Sequence, residues 1–291
     1  MRTGIYFNKG ATQNSYKFHQ ESRFLEEGRK LKVVILCGGL GTRLREETEF
    51  RPKPMVTIGN RPILWHIMKL YAHQGLNDFI LCLGYKGELI KDYFCHYEII
   101  NNDVTLELGN PEGTTIHHTH EEKGWKVTLA NTGGRALKGA RLKRVEKYVD
   151  DDVFMMTYGD GVADINLNEL LKFHVNHGKI ATITGIRAAS RFGELKIEGD
   201  NVLSFSEKPP IGAELISGGF YVFNRDVFDY VWDDDDCDFE YGPLEQIANE
   251  GQLKVYKHTG SWACMDTLRD MDYLNGLWNE GKAFWKTWDS R

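Results

Sequence analysis

The sequence predicts an α/β fold: a Rossmann-like, mixed but mainly parallel central sheet flanked by helices, with smaller β insertions. Three observations predict it. Short apolar, β-branched runs bounded by glycine, such as KVVILCGG from Lys32, suit strands buried on both faces. Segments with helical spacing separate these runs, and that alternation builds right-handed βαβ units. A glycine-rich turn, Gly38-Gly39-Leu40-Gly41, directly follows the first run, at a strand's carboxyl end, where open sheets of this kind place ligands.

The elements follow in order. Residues 1–30 are polar, show no sustained period, and read as a peripheral N-terminal extension to one domain over 31–291. They lack the apolar core of a secretory signal. After the Lys32 strand, Arg61–Gln74 places Ile63, Leu64, Ile67, Met68, Leu70 and Tyr71 at helical spacing and is closed by Gly75. Asp78–Leu83 is a second buried strand, Gly84–Lys86 a turn, and Glu88–Tyr97 a second helix. Residues 101–130 alternate loosely, as edge strands or loops do. Asp152–Tyr158 is a strand that ends in Gly159-Asp160-Gly161. Leu167–His177 follows as a helix and Ile180–Ile186 as a strand. Several short strands fill 192–223. A helix at Pro243–Glu250, a strand at Leu253–Tyr256 and a helix at Thr267–Glu280 complete the chain.

Bulk properties narrow the function. At 41% hydrophobic, the 291 residues can bury a sizeable core. A net charge of -6 argues against a general nucleic-acid binder, and no apolar run reaches the length of a membrane span. The five cysteines are scattered without a CxxC pair, which fits reduced thiols in a cytoplasmic protein and not a disulfide framework or a zinc site.

The glycine turn offers backbone N–H groups to an anion. It lacks the third glycine of a dinucleotide fingerprint and the glycine-lysine-serine/threonine ending of a P-loop. Arg51 and Lys53 alternate with Pro52 and Pro54, and a residue before proline is pushed toward extended geometry. A fixed lysine beside a glycine cradle suits a polyphosphate whose charge rises during reaction.

Taken together, GGLGTRL, RPKPM and IGNRPILWHIMKLY resemble the start of the sugar-1-phosphate nucleotidyltransferases. Among these, the glucose-1-phosphate cytidylyltransferase family is the nearest in pattern. LGYKGELIKDYF, RLKRV, FMMTYGDGVAD, RFGELKI, FSEKP, GGFYVF, MDTLRD and WKTW continue the resemblance in order from about Lys32 to Trp288.

The resemblance implies a nucleotidyltransferase, GT-A-like version of the predicted fold, whose β insertions bind the sugar. It also implies transfer of a cytidylyl group from CTP to glucose 1-phosphate, with Mg2+ and release of pyrophosphate, by a homo-oligomer. Leu36, Cys37, Gly38, Gly39, Leu40, Gly41, Thr42 and Arg43 would wrap the nucleotide, with Lys53, Ala136, Arg141 and Gly159 beside them. Arg43 and Lys53 would be the catalytic cations, neutralising the triphosphate and departing pyrophosphate. Asp160 and Asp266 would hold the metal through hard oxygen donors. Gly193, Glu207, Lys208, Gly218 and Gly219 would receive the sugar phosphate.

Other features have plainer readings. Arg144 reads as a helix-surface charge and Asp164 as a helix N-cap. His117, His118 and His120 read as a solvated hairpin cluster, Asp233–Asp236 as an acidic surface turn, and the aromatic end LWNEGKAFWKTW as packing, within the chain or against another subunit. Several positions depart from the cytidylyltransferase pattern: Ala140, Ser217, Ala263-Cys264 and the Phe239–Pro243 segment. Most fall in the sugar half. They bear on which sugar 1-phosphate is the acceptor; the competing readings are UTP or dTTP as donor, another sugar 1-phosphate as acceptor, or a non-enzymatic sugar-nucleotide binder, and the missing third glycine speaks against a Rossmann oxidoreductase.

Overall fold

The computed structural model describes residues 31–110, 113–117, 120–188, 194–198, 200–206 and 214–289. Strand β1 (Lys32–Leu36) is buried along its whole length, as a β-branched run in a two-sided parallel sheet must be. Helix α1 (Ile63–His73) leads to β2 (Asp78–Leu83), and α2 (Gly87–Cys95) follows. The single helix expected over Glu88–Tyr97 is instead two: α2 stops before His96, and a short helix resumes at Tyr97–Asn101. A hairpin of Asp103–Leu106 and Thr114–His117 precedes β3 (Lys126–Asn131). Helix α3 (Lys138–Arg144), strands β4 (Val153–Tyr158) and β5 (Gly161–Ala163), and helix α4 (Leu167–His177) come next. The remainder is β6 (Ala181–Ile186), β7 (Ile216–Asn224), α5 (Glu245–Asn249), β8 (Leu253–Lys257), β9 (Trp262–Cys264) and α6 (Leu268–Asn279).

Among the described residues, one seven-stranded sheet has the order β8-β6-β7-β4-β1-β2-β3. Every neighbouring pair is parallel except those made by β7, which runs against both β4 and β6. The mixed, mainly parallel sheet expected from the sequence is therefore present, and β3 supplies its predicted edge. The chain adds strands outward from β1 to β3, then returns to place β4 on the other side of β1. That reversal opens a crevice at the carboxyl ends of β1 and β4.

Alternation along the strands sends side chains to two core layers. Val33, Ile35, Phe79, Leu81 and Met155 pack on one face; Val34, Ile80, Cys82, Phe154 and Met156 pack on the other. Each fully buried aliphatic contributes about 1.5–3 kcal/mol. The aromatic end packs within the chain: Trp285 is fully buried, and its indole N–H donates to His66 Nδ1 at 3.3 Å. Burial lowers the His66 pKa to about 4. Among the described residues, no helix is long and apolar enough to cross a membrane.

Two local expectations need correction. Lys53 does not extend: it opens a 3-10 turn over Lys53–Met55, with Pro52 before it extended. Proline at the second position of such a turn costs nothing, because its missing N–H would have had no partner there. Helix α4 is capped by Asn166, whose side chain accepts from Glu169 N at 3.0 Å; Asp164 lies two residues too early.

Candidate active site

The crevice is built from the ends of four parallel strands. Cys37 N donates to Cys82 O at 3.0 Å, Gly159 N to Leu36 O at 3.1 Å, and Thr132 N to Leu83 O at 2.9 Å. Arg141, from α3, reaches beneath these ends and is almost fully buried. Its guanidinium donates to Gly38 O at 2.9 Å, Leu83 O at 3.2 Å, Thr132 Oγ1 at 2.9 Å and Gly133 O at 2.8 Å. Arginine's rigid fork of donors suits such a hub. A Cβ on Gly38 would stand 2.1 Å from Arg141 Nη1, so the close approach requires glycine. Gly41 serves differently: its φ of 64° lets the loop turn into the short helical turn that presents Arg43.

A cavity of about 430 Å³ opens above this floor. Leu36, Cys37, Gly38, Gly39, Gly41, Thr42, Arg43, Lys53, Ala136, Arg141 and Gly159 line it, together with Asp160. Leu40 does not; it points away and is largely exposed.

At the cavity's edge four charged groups meet. Lys53 Nζ donates to Asp160 Oδ2 at 2.6 Å and to Asp266 Oδ1 at 2.5 Å, and Arg43 reaches Asp266 Oδ2 at 2.9 Å. The Lys53 and Asp266 side chains are each 13% exposed, whereas Arg43 is 70% exposed, so Lys53 makes the stronger pairing. Burial alone would lower the Lys53 pKa, but the two carboxylates outweigh it and hold the ammonium above its usual value. Strand pairing brings the distant aspartates together: β5 and β9 run antiparallel with Gly161 opposite Cys264, and Met265 N donates to Asp160 O at 2.8 Å. The two carboxylates that converge on Lys53 are oxygen donors of the kind a small divalent cation takes, with water and phosphate completing its shell.

A second cavity, of about 170 Å³, adjoins the first and shares Arg43, Tyr158 and Asp160 with it. Ser217, Gly218, Gly219, Trp262, Cys264 and Asp266 form its other walls. Trp262 fixes the glycine pair by donating to Gly218 O at 2.8 Å. Burial pushes the Cys264 thiol up to about 12, so it stays protonated at neutral pH.

The nucleotidyl transferase family profile matches residues 32–275. The chain is 50% identical over 260 residues to the glucose-1-phosphate cytidylyltransferase of Salmonella typhi, covering 89% of this chain and 100% of that one. The chain belongs to the nucleotidyl transferase family. A probable glucose-1-phosphate cytidylyltransferase of Bacillus subtilis is 44% identical over 258 residues, again covering 89% of this chain and 100% of the relative. The crystal structure of HddC from Yersinia pseudotuberculosis superposes with a TM-score of 0.61 at 25% identity, over 85% of this chain and 99% of that one.

Within this nucleotidyl transferase, several further groups also shape the site. Tyr158 stands at the junction of both cavities. Its hydroxyl donates to Glu240 Oε1 at 2.5 Å and lies 2.9 Å from the Tyr221 hydroxyl. Glu240 in turn draws Lys138 to 2.5 Å, and Lys138 lines the larger cavity. Ser217 Oγ lies 3.0 Å from the Tyr221 hydroxyl and accepts from Gly219 N at 3.3 Å. The only cue for Tyr158 in the sequence was its place as last residue of the strand before Asp160.

Arg144 is more than a surface charge: it pairs with Asp233 at 2.6 Å and Asp235 at 2.8 Å and donates to Thr132 O, tying the acidic turn to the crevice floor. His120 is not solvated either. Its side chain is almost buried, with Nε2 2.9 Å from Glu98 and Nδ1 3.2 Å from Glu122. The expected sugar-phosphate residues Gly193, Glu207 and Lys208 lie outside the described residues, as does the extension at 1–30.

Gly38→Ala is expected to weaken nucleoside triphosphate binding about ten- to a hundredfold, or roughly 1.4–2.7 kcal/mol, because the added methyl displaces the Arg141 hub. Calorimetric titration of the purified variant measures it.

Proposed function

We propose that the chain transfers a cytidylyl group from CTP to glucose 1-phosphate, with Mg2+, releasing pyrophosphate. The observation that best supports this is the pair of adjoining cavities whose shared wall carries Asp160 and Arg43, with Lys53 and Asp266 alongside. CTP would occupy the larger cavity and the sugar phosphate the smaller. Its oxygen would attack the α-phosphorus in line, a step that needs positioning and charge neutralisation more than a protein nucleophile.

In this reading the glycine loop presents backbone N–H groups to the nucleotide, and Arg141 holds that loop. Lys53 and Arg43 neutralise charge on the triphosphate and leaving pyrophosphate. Asp160 and Asp266 hold Mg2+, which when bound supplies further charge stabilisation at the phosphates. Gly218 and Gly219 offer backbone to the sugar, with Glu207 and Lys208 as further sugar-phosphate contacts.

Pyrophosphate release measured with each common nucleoside triphosphate and glucose 1-phosphate tests the proposal. CTP-selective release supports it; equal or better release with UTP or dTTP reassigns the donor. Ser217 and Cys264 in the smaller cavity make the acceptor worth the same comparison, with a panel of sugar 1-phosphates. Tight sugar-nucleotide binding without release from any pair would favour a binding protein.

The family match begins at residue 32. Deleting residues 1–29 is accordingly expected to leave kcat/KM within about twofold of the full chain, a change too small for loss of any transition-state contact. A larger loss in a folded, purified truncation would place the extension in the working enzyme.

A further inference from the structure

The strand pair that joins the two site aspartates is fastened at its far end by a separate polar cluster. Strands β5 and β9 share just three registered pairs, Gly161 with Cys264, Val162 with Ala263 and Ala163 with Trp262. Asp160 and Asp266 lie past one end of this pair. At the other end Asp164 N donates to Ser261 O at 3.2 Å, and Ser261 N donates back to Asp164 Oδ1 at 2.8 Å. His258 Nε2 lies 3.0 Å from the same Oδ1 and 3.3 Å from Ser261 O, with its side chain 9% exposed. The chain wraps the carboxylate tightly: a Cβ on Gly260 would stand 2.2 Å from Asp164 Oδ1.

Neither Asp164 nor His258 lines the two adjoining cavities. Asp164 does not cap α4, since Asn166 does. The cluster's hydrogen bonds extend a strand pair of only three registered positions. Isolated two-stranded pairs are marginal, and a one-residue slip would reverse every side chain. A slip here would withdraw Trp262 from Gly218 O and move Asp266 away from Asp160. Lys53 also draws the two aspartates together, but through side-chain salt bridges. The far-end cluster acts through the backbone.

We propose that Asp164, with His258, is a positioning residue: it clasps the far end of the β5–β9 pair and so sets the separation of Asp160 and Asp266 for a divalent cation. This rests on reading those two aspartates as the metal ligands. The clasp touches neither substrate nor metal, and its effect is to keep the register in which the two carboxylates face each other.

The test titrates Mn2+ alone into the full chain and follows free Mn2+ by electron paramagnetic resonance. Wild type, Asp160→Asn, Asp164→Ala, Asp164→Asn and His258→Gln are compared. Metal-free CTP binding and the melting temperature are measured in parallel. Asp164→Ala is expected to raise the Mn2+ dissociation constant five- to tenfold while metal-free CTP affinity stays within twofold. Asp164→Asn keeps an acceptor for Ser261 N and is expected to fall between Asp164→Ala and wild type. If Asp164→Ala does not fold, Asp164→Asn and His258→Gln carry the test, each expected to weaken Mn2+ at least threefold. Mn2+ affinity within twofold of wild type in the folded variants overturns the clasp. So does a parallel fall in Mn2+ and CTP affinity, which would mean general loosening. Unchanged Mn2+ binding in Asp160→Asn would instead overturn the metal-site reading on which the clasp depends.

Discussion

Lys53→Ala is expected to lower kcat by about a thousandfold, the upper end of what one preorganised charge contact contributes. The lysine is the only cation within salt-bridge distance of both Asp160 and Asp266 among the described residues, and it is mostly shielded from water. In the proposed reaction it meets charge that grows on the departing pyrophosphate, so the loss falls on kcat more than on KM. The same substitution leaves two carboxylates facing each other without their shared ammonium. The metal-free variant is therefore expected to be less stable, by on the order of 2 kcal/mol, since removing one partner strands the others. The lysine's raised pKa fixes the pH window. Its stabilisation is fully present below the ordinary lysine value of 10.5 and fades only as pH rises through the still higher folded value, so the deficit is present at every neutral pH. Added Mg2+ is expected to raise the variant's melting temperature more than that of wild type. Near-normal turnover in purified, folded Lys53→Ala would remove Lys53 from the chemistry.

Asp160→Asn is expected to cost about a hundred- to ten-thousandfold in kcat with the fold intact, because the amide matches the carboxylate in shape and loses only its charge. Asp160 borders both cavities, whereas Asp266 borders only the smaller one. The concentration of Mg2+ for half-maximal rate should therefore rise in both Asp160→Asn and Asp266→Asn, and the KM for CTP should change more in the former. Initial rates over a grid of Mg2+ and CTP concentrations separate the two. Equal activity of Asp160→Asn and wild type at any metal concentration would withdraw its role as a ligand.

The sheet was readable because its signals are local. A β-branched run such as Val33–Leu36 is buried on both sides for the same reason that it looks like a strand. Asp160 was readable in part, since an apolar strand running into Gly-Asp-Gly marks a carboxyl end. Asp266 was not readable from its neighbours; the three-residue pairing of β5 with β9 that brings it to Asp160 spans about a hundred positions of chain. The family resemblance supplied that link. The contacts of Tyr158, Lys138 and Glu240 were not legible, because they form a tertiary chain with no spacing to betray it. Leu40 is included by a continuous motif, and its side chain is exposed and does not line the cavity. Asp164 was read as the cap, yet Asn166, two residues on, takes that place, a difference within the usual blur of helix ends.

The reversed direction of β7 has a consequence for how such a protein can be altered. Because β7 runs against β4, its beginning, Ser217-Gly218-Gly219, lies beside the end of β4, where Tyr158 and Asp160 stand. The walls of the larger cavity come mainly from the first half of the chain, and those of the smaller draw on β7 and β9 from the second. In the proposed reading the two substrates would thus be handled by separable stretches of sequence that meet at one carboxylate. On that reading, diversifying positions 217 and 264 would retune the acceptor wall and leave the glycine loop and its Arg141 support untouched, which makes the smaller cavity the place to begin engineering a new nucleotide sugar.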